Sequence, residues 1–236
     1  MDTAPPSVIE DDLVRAEDAG KARRILYWTA FALTVAASLL VEFLLPEPDD
    51  WVGVAQMLLP LAPILITLVP LGLPAGRRSP TGLVVASAVT LIAAVGSFTG
   101  GGLGGFYAPS ALLLWAAILV PRWVASGRDA GTGRAWRIGG AFAIALPAFA
   151  LLGGLLTGSL QDGIALQWAV LIGVTALAVL FALRVRFTDW IAAGLGAALM
   201  GLAVIDGGIL TLAFWWVGGL WLAVGICSIA AGRKAR

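Results

Sequence analysis

Histidine is absent from this chain of 236 residues, and Cys227 is its single cysteine. Without histidine there is no Ser-His or Cys-His nucleophile, no histidine-ligated zinc, and no histidine-ligated haem or quinol site. A lone cysteine forms no internal disulfide, and its place in the last apolar run predicts a small packing residue. We therefore expect no catalytic residue, no cofactor and no metal site in this chain.

Charge is also scarce. Charged residues make up 12% of the chain and hydrophobic residues 60%, against about 25% and about 45–50% in soluble domains. So few charges cannot cover that much apolar surface in water, whereas lipid can. The formal net charge is only +1 and the basic residues are dispersed, so nucleic acid is not an expected partner. Membrane lipids are the expected surroundings.

The apolar residues form runs long enough to cross a bilayer, which takes about 20 residues of helix. The runs are solidly apolar rather than alternating, which favours helices over barrel strands. The sequence therefore predicts an all-α integral membrane protein, a bundle of eight transmembrane helices. The predicted spans are 25–45, 52–73, 81–99, 106–121, 138–157, 164–183, 190–205 and 209–230.

The basic residues predict the orientation. All 15 Lys and Arg lie before the first span, in every second connection, or after the last span. The charged residues of the intervening connections are all acids: Glu47, Asp49, Asp50, Asp162 and Asp206. By the positive-inside rule both termini are predicted to be cytoplasmic. High Ala, Gly, Trp and Arg content with scarce Lys is typical of a GC-rich bacterial genome, so the predicted location is the inner membrane of a bacterial cell. The acidic start of the chain does not resemble a signal peptide, and Ser7 with Glu10 predicts a short helix there that ends near Gly20.

Equivalent residues recur at a spacing of about half the chain. Arg77 and Arg184 are 107 residues apart, and Phe106-Tyr107 precedes Phe214-Trp215 by 108. Two parallel four-helix repeats would explain this, although apolar helices of biased composition also align with one another easily. The resulting organisation is a tail, a four-helix half, a basic linker loop, a second four-helix half and a tail. Their predicted bounds are 1–24, 25–121, 122–137, 138–230 and 231–236.

Four polar residues near the predicted outer surface are the candidate site. Glu42 is the only ionisable residue in the first six spans, and carboxylates within membranes are often functional. Gln56 and Gln167 lie at similar depth in other spans, and Asp206 closes the seventh span. Together these residues could form an acidic recess for a cation or a polar headgroup. Alternatively, Glu42 is a helix-end carboxylate satisfied by Gln56 or water.

Three other sequence features could serve a function or could only shape the packing of the helices. Pro60, Pro63 and Pro70 predict a bend or break in the second span, because proline lacks the backbone N–H. The formal G-x-G-x-x-G over residues 100–105 has no strand before it and is expected to be a flexible turn. Small residues every fourth position predict that the seventh span is central and closely packed: Ala193, Ala197 and Gly201.

Three functional classes remain. The lack of reactive side chains favours a membrane component or permease-like subunit that works with other chains. The proline-rich second span and the acidic residues instead suggest an autonomous transporter of a small or lipophilic solute. The third class is an intramembrane lipid-modifying enzyme that uses Glu42, Asp206 or Asp189 as acid or base.

Overall fold

The computed structural model describes residues 6–44, 60–73, 78–99, 103–126, 131–156, 164–185, 187–206 and 211–232. Within these ranges the chain is all-helical, as expected, with one 3-10 helix at Leu103–Tyr107 just before the fourth α-helix. The α-helices are α1 Pro6–Leu44, α2 Leu61–Gly72, α3 Arg78–Thr99, α4 Ala108–Ser126, α5 Gly131–Leu156, α6 Ile164–Ala182, α7 Thr188–Asp206 and α8 Thr211–Gly232.

The helices form because a chain in lipid must satisfy its own backbone hydrogen bonds. Of the helices in the described ranges, seven are long and apolar enough to cross a membrane. The exception is α2, which has 12 residues, and the first part of its predicted span lies outside the described residues. The helices therefore support a multi-pass membrane protein. The predicted orientation stays a prediction.

The first helix is longer than expected. The prediction that Gly20 ends a short separate helix is wrong, because α1 continues without interruption from Pro6 to Leu44. Glycine inside a helix costs about 1 kcal/mol relative to alanine. Burial of Ala19 and Ala22 on either side of Gly20 compensates, and an ion pair of 2.7 Å joins Glu17 and Lys21 across one turn.

The buried side chains form two clusters. The main core joins α1, α3, α4 and α8, with two residues from α7. The smaller hairpin core joins α5 and α6 to α7 and α8, around Phe181, Ile144 and Trp221. α8 is the central helix of the bundle, because it packs against α1, α4, α5 and α7, whereas α7 packs mainly on α8.

The expectation that α7 is the central helix is wrong. The expectation that its small residues at every fourth position are closely packed is wrong as well. Ala193 is buried, but Ala197 and Gly201 are exposed. The side of α7 that packs on α8 instead continues from Ala193 to Gly196 and Met200. The small residues at four-residue spacing therefore lie largely on the open side of α7, and close packing follows a different stripe.

The glycine-rich run before α4 is also packed rather than open. Its described part is the 3-10 helix Leu103–Tyr107, which lies against the end of α3. A Cβ built at Gly104 would lie 2.5 Å from the Ala93 carbonyl oxygen and 2.4 Å from the Ser97 nitrogen. Only glycine allows this approach, so the expectation of a flexible turn is wrong for these residues.

Contacts between helix ends define two ends of the bundle. The starts of α5 and α7 meet the end of α8, and we name this the basic end because it holds Arg137. The end of α1 and the starts of α2 and α4 meet at the opposite end, named the Glu42 end.

Each half of the chain has the same neighbour order: its first helix contacts the second and fourth helices of that half, and its third helix contacts the same two. A repeat would give this order, but so would antiparallel neighbours joined by short connections, so the repeat stays a prediction.

Candidate functional site

A buried polar junction joins three segments at the Glu42 end. The Ser38 hydroxyl of α1 donates a hydrogen bond of 2.7 Å to the Pro60 carbonyl, at the start of α2. The oxygens of Ser38 and Tyr107 are 3.2 Å apart. Since Ser38 has one hydroxyl hydrogen and gives it to Pro60, Tyr107 must be the donor in the second bond. The result is a directed chain of hydrogen bonds from Tyr107 through Ser38 to Pro60, with all three residues buried.

Glu42 lies beside this junction. It follows Ser38 by four residues on α1, so the two side chains share a face of the helix, one turn apart. Its carboxylate is half-buried and within electrostatic range of the Tyr107 hydroxyl. α1 ends two residues later, at Leu44. The expected position of Glu42 near a helix end therefore agrees with the structure.

The other members of the predicted recess are not gathered around Glu42 by any described contact. Gln56 lies outside the described residues, and Asp206 is the last residue of α7, with a side chain that is likewise not described. Gln167 is half-buried on α6, which packs mainly against α5, whereas α1 packs mainly against α4. The recess of these four residues stays a prediction. What the structure adds next to Glu42 is Ser38 and Tyr107.

The proline-rich helix is locally continuous. Pro60 stands immediately before α2, and Pro63 and Pro70 are buried within it. Pro63 falls in the first turn, where a missing N–H costs little. The Thr67 hydroxyl bonds within the same helix, to the carbonyls of Pro63 at 2.8 Å and Ile64 at 3.0 Å. A functional break in this span stays a prediction.

An ion pair between two helices lies at the basic end. Arg137 of α5 makes a two-pronged ion pair with Asp189 of α7, and its second bond, from Nη2 to Oδ2, measures 3.1 Å. Asp189 is in the first turn of α7, where the helix dipole favours a carboxylate. The guanidinium carbon also lies 4.7 Å from the centre of the Phe181 ring of α6. One side chain thus joins three helices.

Two neighbouring features complete this contact. The Trp136 indole nitrogen donates to the Ser228 hydroxyl of α8 at 2.9 Å, so two successive residues of α5 are fixed to two helices. A Cβ at Gly140 would lie 2.6 Å from the Phe181 ring, so glycine at this position leaves room for the ring beneath Arg137. We name the set Trp136, Arg137, Phe181, Asp189 and Ser228 the basic-end clamp.

Sequence reasoning did not identify the clamp or the junction. From the sequence alone, Arg137 is one of the basic residues that predict the orientation, and Asp189 is a possible acid or base. The available signal was an acid just inside a basic flank, where an arginine on another helix can reach it. For Ser38 and Tyr107 no local signal distinguishes a buried partner from an exposed hydroxyl.

The carboxylates of Glu42 and Asp189 are too far apart to act on one substrate group. The junction containing Tyr107 is next to Phe106, whose carbonyl accepts a 2.8 Å hydrogen bond from Trp215 near the start of α8. Asp189 instead lies against Gly225 of the same helix. Ten residues of helix separate Trp215 from Gly225, a rise of about 15 Å. Glu42 and Asp189 therefore belong to opposite ends of the bundle.

No family model matches the chain, and neither a curated protein nor a solved structure matches it.

Proposed function

We propose that this chain is a non-catalytic membrane component that works with other membrane chains, as a permease-like subunit does. The observation that carries the proposal is an uncovered apolar stripe along α5, formed by exposed residues at helical spacing. Its members are Ile138, Phe142, Leu146, Phe149 and Gly153. We name these five residues the α5 stripe.

The stripe has the chemistry of a helix-packing surface. The rings of Phe142 and Phe149 lie with their centroids 5.8 Å apart, which makes one aromatic ridge two turns long. Gly153 has open space where a Cβ would be, so another backbone could approach closely there. The occupant that fits is an apolar transmembrane helix of a partner chain. The spans also differ in how much of each is buried inside the bundle. Of the α5 span 17% is buried, whereas 67% of the span that includes α4 is buried.

Crosslinking in native membranes tests this proposal. A photoreactive residue at Phe149 is expected to give an adduct with a specific membrane protein. The same residue at Leu91, which is exposed on α3, is expected to give lipid adducts. Mass spectrometry identifies both products. Lipid adducts alone at both positions would refute the partner helix.

A transporter is the second candidate, favoured by the polar junction. Ser38, Tyr107 and Pro60 join three segments next to the Glu42 carboxylate, at the start of a helix that contains two further prolines. Transport sites often use a discontinuous helix with exposed carbonyls. Reconstituted protein that moves a solute without any partner, and loses this activity in Glu42→Gln, would favour this function over the first.

A lipid-modifying enzyme has the least support. Asp189 is engaged by Arg137, and it lies at the opposite end of the bundle from Glu42. Two carboxylates facing one another in one cleft would favour acid–base chemistry. Glu42 and Asp189 do not face one another.

A further inference from the structure

The α5–α6 hairpin is packed at one end and open at the other. On α5 the buried positions are Gly140, Ile144 and Ala148, and none of the described side chains beyond Ala148 is buried. On α6 the buried positions begin at Val174 and end at Phe181. Both sets lie toward the basic end, because α5 starts there and α6 ends there.

The open part of α6 is exposed on nearly all sides. Residues 165–170 cover more than one full turn, and of these only Gln167 is even half-buried. A helix that simply faced lipid on one side would bury its opposite side against the bundle. This end of α6 therefore stands away from α7 and α8, which pack together along their length.

Specific contacts hold the hairpin at the basic end. Trp136 and Arg137 bond to Ser228 and Asp189, as part of the basic-end clamp. The basic end of α6 is also closed by a cap, in which Arg184 has a left-handed conformation with φ 57°. The Arg184 nitrogen donates to the Phe181 carbonyl at 3.2 Å, and the Val185 nitrogen donates to the Leu180 carbonyl at 3.1 Å. These two bonds make the Schellman pattern that closes helix ends, formed here without the usual glycine.

From this asymmetry we propose that the α5–α6 hairpin is a movable arm, which pivots on the basic-end clamp and swings its Glu42-end half toward and away from α7 and α8. Lipid tails are as apolar as the side chains of the arm, so no large hydrophobic gain closes the open end. Because the helices are long and stiff, a small rotation at the clamp produces a large displacement at the far end. A rotation of roughly 10° at the clamp moves a point about 20 residues away by about 5 Å. The proposal does not depend on the arm having a partner chain.

Spin-label distances in lipid nanodiscs test the arm. Gly153 of α5 and Gly201 of α7 form a tip pair, and Gly139 of α5 and Gly194 of α7 form a pivot pair. All four positions have open space for a side chain, so each can be changed to Cys and labelled without a clash. The buried Cys227 is first replaced by Ala.

The tip pair is expected to give a distance distribution at least twice as wide as that of the pivot pair. Equal, narrow distributions would overturn the proposal. In Arg137→Gln the pivot pair should widen, and the exchanged pair Arg137→Asp with Asp189→Arg should narrow it again. If the distance distribution of the pivot pair were unchanged in Arg137→Gln, the arm would not pivot on the basic-end clamp, and the proposal would be wrong on that point. The comparison of tip and pivot in the parent protein does not require that variant to fold.

Discussion

Gly196 of α7 and Gly218 of α8 meet backbone to backbone, and their contact is reciprocal. A Cβ built on either glycine would lie 2.6 Å from the carbonyl oxygen of the other. Small residues at such a crossing allow helices to approach closely in lipid, where packing rather than water exclusion drives association. This contact joins the central helix α8 to its most extensive neighbour.

Substitution of either glycine tests the importance of this crossing. Gly196→Ala and Gly218→Ala are expected to destabilise the fold by about 1–3 kcal/mol, because the added methyl group meets fixed backbone. Gly201→Ala on the same helix is the matched control, since its Cβ enters open space. Reversible unfolding in detergent measures all three. Equal effects at Gly196 and Gly201 would contradict the crossing.

The ion pair of the basic-end clamp can be measured by a double-mutant cycle. Arg137→Gln and Asp189→Asn should each cost about 1–3 kcal/mol of unfolding free energy, because each leaves a partly buried charge unpaired. The double variant should lose less than the sum of the two. Glu17→Gln, which removes the exposed pair with Lys21, should cause no measurable change. Strict additivity at Arg137 and Asp189 would show that they are not coupled.

The polar junction predicts unequal effects for its two hydroxyls. Ser38→Ala removes the donor to Pro60 and the acceptor for Tyr107, so it should destabilise by about 1–3 kcal/mol. Tyr107→Phe removes one bond at the end of the chain and should cost about 1 kcal/mol. Thr175→Ala is the control, because its hydroxyl bonds only within its own exposed turn. A larger loss in Tyr107→Phe than in Ser38→Ala would show that Ser38 is not the central residue of this hydrogen-bond chain.

Orientation is tested by labelling single cysteines in a Cys227→Ala background. Gly20 is exposed on α1, and Cys at this position should react with an impermeant maleimide only after the cells are opened. Ser159 lies in a connection predicted to be outside, and Cys there should react in intact cells. Gly104 is unsuitable as an outside probe, because it is packed against α3. Labelling of Gly20→Cys in intact cells would contradict cytoplasmic termini.

The helices were predictable because each depends on its own segment. An apolar run of about 20 residues forms a helix in lipid whatever its neighbours are. Hence the predicted span 164–183 differs from helix Ile164–Ala182 by one residue. Gly20 is an exception. It was expected to end a helix, but buried alanines on either side keep α1 continuous.

Which side of each helix meets which neighbour was decided only in the tertiary structure. Helices such as α6 and α8 are apolar nearly all round, so their sequences carry little information on rotation about the helix axis. The contacts that define the candidate sites join residues far apart in the chain, 69 positions for Ser38 and Tyr107 and 52 for Arg137 and Asp189. The sequence alone determined that the chain needs lipid and where its helices run. Packing determined their partners, because complementary shape and a few polar side chains fix rotation where hydropathy is uniform.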